Sequence, residues 1–310
     1  MIEGKSDQRH TSGECALEHA EYRVQTQSAP RIRHLPLDHL HENLLRALSC
    51  SMTTPRLFEH DELDSTNEEA FREIAAGRAQ HLDGHLAAAQ TAGRGRLGRT
   101  WVGAPGEGMY LSIVLLGRDS WSLPTPVVLS MTVGLALLQA AERVGLAPDL
   151  LALDWPNDLV VAGLPGVEEA PKLAGILIES RNLDPDAPAY VVGVGVNVLQ
   201  MAFPEALLAE RPVSSLALLG CTTTPRELAT LFLDELTELL EVGATAPSQV
   251  CADYLEASRA AGRRVRVDLG GDDFPEGRAV FLEPDGLRIL TDDNLTMNFA
   301  LEHIRGLRPV

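Results

Sequence analysis

Apolar positions recur in two rhythms along this chain, and the switches between them mark out its elements. Residues 57–63 read as a strand that runs into a polar cluster, Asp64-Ser65-Thr66-Asn67. Ser65 with Glu68 three residues on forms a capping box, Phe71, Ile74 and Ala75 give an apolar stripe, and Gly77 stops the predicted helix. Residues 85–90 are a short apolar strand and 108–116 a strong one. Residues 123–144 predict a helix, with Pro124 and Pro126 near its start and Gly145 after its end. Strands follow at 151–155, 171–179 and 190–198, then a helix over 225–240 capped by Thr224 with Gly243 beyond it, and another over 247–261. From Gly262 the texture changes to short alternating runs at 264–269, 277–282, 287–291 and 297–301 with turns between. These predict a small β-barrel of about fifty residues.

Residues 1–55 carry no such rhythm. Asp38 could cap a short helix carrying Leu40, Leu44, Leu45 and Leu48, and six of the nine histidines fall at irregular spacing before residue 61, where we read them as solvated. Met52-Thr-Thr-Pro55 reads as an alternative start, which would make the preceding residues an extension. The expected division is an extension at 1–55, a core at 56–261 and the small β unit at 262–310.

Charge and composition narrow the function. The net charge is −18, which argues against a broad nucleic-acid footprint, and no basic helix-turn-helix is visible near the N-terminus. No apolar run approaches the roughly 18 residues of a membrane helix. The N-terminus lacks a signal-peptide pattern, and Cys15, Cys50, Cys221 and Cys251 lack metal or disulfide spacing, so a reduced, cytoplasmic setting is expected and no residue is assigned as a metal ligand. Against this acidity, residues 93–99 hold three arginines and three glycines and close on Trp101. Gly93-x-Gly95-x-x-Gly98 fits a dinucleotide fingerprint and misses a P-loop by one residue, Arg99 standing where lysine belongs. Both mechanisms need a helix to open at the third glycine, and Gly103, Pro105, Gly106 and Gly108 exclude one. Arginine side chains and loop amides must then hold the anion, and a flexible anion-binding loop is expected. The chain has 24 arginines and two lysines, Lys5 and Lys172. A lysine in the body of so arginine-rich a chain is a candidate for a compact charge aimed at one oxygen. Lys172 opens a buried strand and needs an anionic partner; Asp158, after a proline at a strand end, is either a turn carboxylate or part of the chemistry. Gly193 and Gly195, at period two, leave a bare strip on which a flat ligand or another backbone can lie, with Asn197 on the same face.

Taken in order, Asp64-Ser-Thr-Asn67, Gln90, Gly93-Arg-Gly-Arg-Leu-Gly-Arg-x-Trp101, Tyr110-Leu-Ser112, Trp155-Pro-Asn-Asp158, Lys172-Leu-Ala-Gly-Ile-Leu-Ile-Glu179 and Gly193-x-Gly-x-Asn197 make the chain resemble the biotin–protein ligases from about residue 57 onward. The resemblance implies an α+β fold: a mixed or antiparallel sheet with helices on one side, like the core of class II synthetases, followed by a C-terminal SH3-like barrel. It implies that biotin and MgATP give biotinyl-5′-adenylate, and that a lysine of a biotin carboxyl carrier protein then takes the biotin and releases AMP. Ser65, Thr66, Asn67 and Gln90 would meet the ureido ring; Arg94, Gly95 and Arg96 would close over biotin and its carboxylate. Arg99, Trp101 and Asn197 would serve the nucleotide. Lys172 would contact the carboxylate and phosphate oxygens, Asp158 would assist deprotonation of the acceptor lysine, and Lys172, Arg96 and Asp158 form the expected catalytic set. The alternatives are a lipoate or octanoyl ligase on the same fold and a biotin-sensing repressor, the latter opposed by the N-terminal sequence. Exposed strand edges leave room for a homodimer.

Overall fold

The computed structural model of the chain describes residues 54–117, 124–162, 169–181, 188–271 and 274–310. The helix expected after Asp38 and the alternative start at Met52 lie outside them. The larger sheet has seven strands in the order β1-β2-β3-β7-β6-β5-β4. They are β1 (Arg56–Leu63), β2 (Asp83–Gln90), β3 (Gly108–Leu116), β4 (Leu151–Asp154), β5 (Asp158–Val161), β6 (Lys172–Glu179) and β7 (Ala189–Asn197). β1 and β2 run parallel, joined through α1 (Thr66–Ala75); the other neighbours are antiparallel.

Alternation on the central strands sorts the two faces. Met109, Leu111, Ile113 and Leu115 of β3, with Val192, Val194 and Val196 of β7, point into the main core. That core is covered by α2 (Pro126–Arg143), α4 (Pro225–Thr245) and α5 (Pro247–Ala257), while a short α3 (Glu205–Glu210) lies outside it. The expectation of helices on one side is corrected by α1, whose Ala70 and Phe71 pack on Val114 and Val191 of the opposite face. The parallel β1–β2 step requires a crossover, and the apolar stripe of α1 sends it over that face.

Two local predictions fail for readable reasons. Ser65 stands at the N-cap of α1, but the capping box does not form: its side chain makes no capping bond, its N–H goes to Asp64 Oδ1, and the Glu68 carboxylate pairs with Arg181 and Arg94. Gly243 lies inside α4 rather than after it. A Cβ there would come within 2.8 Å of Thr132 Oγ1, so this glycine permits close approach to α2 instead of ending a helix. Thr224 does cap α4, accepting from Glu227 N.

β8 (Arg264–Asp268), β9 (Glu276–Glu283), β10 (Gly286–Leu290), β11 (Thr296–Phe299) and β12 (Gly306–Pro309) form a second, antiparallel sheet in the order β11-β10-β9-β8-β12. β11 and β12 stand at its ends. Val265, Val267, Leu287 and Phe299 belong to the same apolar cluster as the core beneath the larger sheet, and Trp155 Nε1 donates to Ile304 O at 2.9 Å across the join. The two sheets are therefore packed through continuous apolar contact. No helix among the described residues is long and apolar enough to cross a membrane.

Candidate active site

The sheet face that carries α1 is stripped of side chains at its centre. Gly195 and Gly175 pair across β7 and β6, and Gly193 lies two residues along. The bare strip is used: a Cβ on Gly195 would fall 2.5 Å from Trp101 Cε2, one on Gly175 3.0 Å from Trp101 Cζ3, and one on Gly193 would collide with Asn67 Oδ1. The indole of Trp101 and the amide of Asn67 thus fill the place where the sequence left room for a flat group or a backbone.

Around this strip lies a slot of about 50 Å³ lined by Ser65, Thr66, Asn67, Gln90, Arg94, Gly95, Arg96, Trp101 and Lys172, together with Tyr110, Asn157, Gly193 and Gly195. It adjoins a wider cleft of about 980 Å³ under residues 91–100, whose lining includes Arg99, Asn157, Glu179 and Glu302. Nine of the sequence-selected residues therefore meet in one slot, and Arg99 sits in the cleft beside it. Asn197 lines neither; its buried amide donates to Ser214 O at 2.9 Å. Asp158 is reached through Lys172 rather than from open space.

One end of the slot is neutral. Gln90 Oε1 accepts from Thr66 N at 2.8 Å and from Thr66 Oγ1 at 3.2 Å. Ser112 Oγ, fully buried, donates to Asn67 Oδ1 and lies 2.7 Å from Thr66 Oγ1. β2, β3 and the first turn of α1 thereby lock three elements together through small polar side chains. Ser112 was legible only as part of Tyr110-Leu-Ser112; its role follows from period two, which turns it to the site face.

The other end is cationic. The expected flexible loop is pinned at its neck: Arg94 and Thr100 form an antiparallel bridge, Gly95 N donates to Arg99 O at 2.7 Å, and Trp101 N donates to Gly93 O at 3.0 Å. Gly98 turns the tip at φ +74°, and Leu97 beside it is 93 % exposed. As expected, no helix opens at the third glycine, only a short 3₁₀ turn over Arg96–Gly98. Arg94 is held by Glu68 and Glu179, each at 2.7 Å, and Glu179 also accepts from Asn67 Nδ2 at 2.7 Å. Arg96 Nη1 donates to Asn157 Oδ1 at 2.7 Å. Lys172 Nζ lies 2.6 Å from Asp158 Oδ1 and 5.6 Å from the centre of the Trp101 ring. Burial pushes the ammonium's pKa down, and Asp158 pulls it part of the way back. The other Asp158 oxygen takes Arg211 Nη1 at 2.9 Å, a residue with no sequence signal because it lies 53 positions away in the chain.

A neutral polar cradle, arginines on a hairpin-like loop and a buried lysine thus share one sheet face, an arrangement that offers hydrogen bonds at one end and positive charge for an anion at the other. Comparison with known proteins sharpens that picture. Residues 60–197 match the biotin/lipoate A/B protein ligase family. A biotin--[acetyl-CoA-carboxylase] ligase of Mycobacterium tuberculosis (strain ATCC 25618 / H37Rv) is 35 % identical over 230 residues, spanning 72 % of this chain and 78 % of that protein. The chain belongs to the biotin/lipoate A/B protein ligase family. The bifunctional ligase/repressor BirA of Escherichia coli (strain K12) is 30 % identical over 180 residues, which is 58 % of this chain and 52 % of that one. The biotin protein ligase from Aquifex aeolicus in complex with biotin and ATP is similar at a TM-score of 0.64 and 25 % identity, covering 83 % of this chain and 100 % of that chain.

Proposed function

We infer that this chain is an ATP-dependent, AMP-forming biotin–protein ligase. It activates biotin to biotinyl-5′-adenylate and passes the biotin to a lysine of a biotin carboxyl carrier protein. The observation that carries the reading is the convergence of Ser65, Thr66, Asn67 and Gln90 with Arg94, Arg96 and Lys172 on one slot.

We propose the following division of labour. The neutral end, including Ser112, takes the ureido edge of biotin, exchanging its internal hydrogen bonds for those of the ligand. Arg94, Arg96 and the Gly95 amide take the carboxylate, and Arg99 and Trp101 serve the nucleotide. Lys172 sits where the carboxylate oxygen attacks the α-phosphorus and pyrophosphate departs; its compact charge offsets the repulsion of two anions. Asn197 acts on the nucleotide side indirectly, by fixing the backbone beyond Arg211. In the second half-reaction the acceptor amine attacks the acyl carbon, AMP leaves, and Asp158 assists removal of the amine's proton. No group of three His, Cys, Asp or Glu among the described residues is placed to hold a metal ion, so Mg²⁺ is proposed to enter on the triphosphate as part of the substrate.

Ligand pockets commonly enclose about 300–1,000 Å³, so a slot of about 50 Å³ must open before biotin enters. Opening breaks the Arg94 pairs with Glu68 and Glu179; closure over the ligand then shields the adenylate from water. The division at residues 55 and 261, an SH3-like form for the second sheet, a cytoplasmic setting and a homodimer through a strand edge belong to the same proposal. AMP release with biotin, MgATP and a biotin-acceptor domain tests the reading. Lipoate replacing biotin with equal or better efficiency would overturn it in favour of the lipoate branch, and a biotin-dependent gel shift would add the repressor role that the acidic chain argues against.

A further inference from the structure

Asp158 stands between two cations, and one of them faces the slot. Lys172 lines it; Arg211 lines neither slot nor cleft. All three side chains are sunk, at 12 % exposure for Asp158, 17 % for Lys172 and 18 % for Arg211. A lysine that serves an incoming carboxylate and phosphate has to release Asp158. Doing so would uncover a buried carboxylate directly across the hairpin from Asp154, and truncating or removing the partner of such a charge is costly.

We propose that Arg211 is a positioning residue that keeps Asp158 paired and aimed while Lys172 moves to the ligand, so that one carboxylate can hold the lysine before the ligand arrives and remain poised for the acceptor amine later. The guanidinium is placed for this. Its backbone neighbours are tied to the lysine's own residue, with Lys172 N donating to Pro212 O at 2.9 Å and Ser214 N to Lys172 O at 2.9 Å. Asn197 anchors the far end of that strap through Ser214 O. Arg211 Nη1 already holds the second carboxylate oxygen at 2.9 Å, so Asp158 keeps a cationic partner when Lys172 leaves the first. The charged and titratable groups around Asp158 are Lys172 on β6, Arg211 after α3, Asp154 on β4 and the buried Tyr254 on α5. Arg99 of the loop acts on Lys172, and Arg308 of β12 on Asp154. Burial, and then Asp158, push the Asp154 carboxyl up.

This inference rests on the ligase reading, and the assay separates the two. Biotin-dependent ATP–pyrophosphate exchange, and transfer from preformed biotinyl-5′-adenylate to an acceptor domain, are measured for the parent, Arg211→Gln and Arg211→Lys. A parent without exchange sinks the ligase reading itself. With an active parent, Arg211→Gln should lower exchange kcat and the rate of transfer about tenfold each, with the KM values within about twofold. Arg211→Lys should restore most of both effects. A change confined to KM, or a lysine variant no better than glutamine, overturns the inference alone. If Arg211→Gln does not fold beside an ionised Asp158, Asp158→Asn/Arg211→Gln decides: exchange equal to that of Asp158→Asn supports the coupling, and a further drop overturns it.

Discussion

At one end of the slot, Thr66, Asn67, Gln90 and Ser112 hold one another through neutral hydrogen bonds; at the other, Arg94, Arg96 and Lys172 are each engaged by a carboxylate or an amide of the same chain. The neutral bonds are worth about 1 kcal/mol each and set a shape. On the proposed reading, these cationic pairs are the ones exchanged when a ligand anion binds. The chain's own carboxylates and amides compensate its positive charge, at Lys172 in a sunk position and at Arg94 and Arg96 on an exposed loop. The proposal therefore assigns specificity to the neutral end and rate to the cationic end.

The hardest blow to that contrast is Lys172→Arg. The charge is kept, but the planar fork is larger than an ammonium and cannot be aimed at one oxygen in a slot this tight. Adenylation should fall by at least about 100-fold, on the scale of losing a transition-state donor, with thermal stability close to the parent. Near-normal pyrophosphate exchange would show that the cationic end does not act through this lysine.

Next in size is Gly193→Ala, which strikes the neutral end from beneath. The new methyl would occupy the space of Asn67 Oδ1, forcing the amide off Ser112 and Glu179. Overpacking of this kind costs about 1–3 kcal/mol, and the KM for biotin should rise about tenfold or more while the KM for MgATP moves far less. Equal changes in both constants would mean that the two ends are not separable. Ser112→Ala is a gentler version, removing a buried hydroxyl that steadies both Thr66 and Asn67. A rise of about fivefold in the KM for biotin is expected, with kcat kept, and isothermal titration with biotin alone checks it.

The same contrast explains what could be read without coordinates. Strand β3 was legible to the residue because its nearly unbroken apolar run and its glycine boundary agree, and the slot residues were legible because small polar residues and glycines stand where propensity alone would not put them. Sequence spacing could not show that Glu68 would leave the capping box for Arg181 and Arg94, since a nearby guanidinium outcompetes a backbone amide only once the fold has brought it there. Strand β5 was missed because it follows β4 after a three-residue turn, too soon for a separate rhythm to register. Strand β12 was missed because it is short, with half its residues exposed. Arg211 was invisible for a different reason: its meaning lies wholly in Asp158, which is distant in sequence and adjacent in space.

The smallest expected effect concerns the outer support of the neutral end. Asp64, just before Ser65, binds Arg72 at 2.9 Å and accepts from Ser65 N at 2.7 Å, and these contacts hold its carboxyl down at about 2. Both partners are about half exposed, so solvent and salt screen most of the attraction. A carboxyl whose folded pKa lies below its unfolded value of 3.8 contributes stability above that value and loses it as the pH falls toward 2. Asp64→Asn should therefore cost no more than about 0.5 kcal/mol near neutrality. The difference from the parent should shrink in high salt and vanish in acid, and urea melts at two pH values will measure it. The KM for biotin should stay within about twofold, because Thr66, Gln90 and Ser112 hold one another without Asp64. A larger rise would show that the neutral end borrows its rigidity from the charged surface outside it.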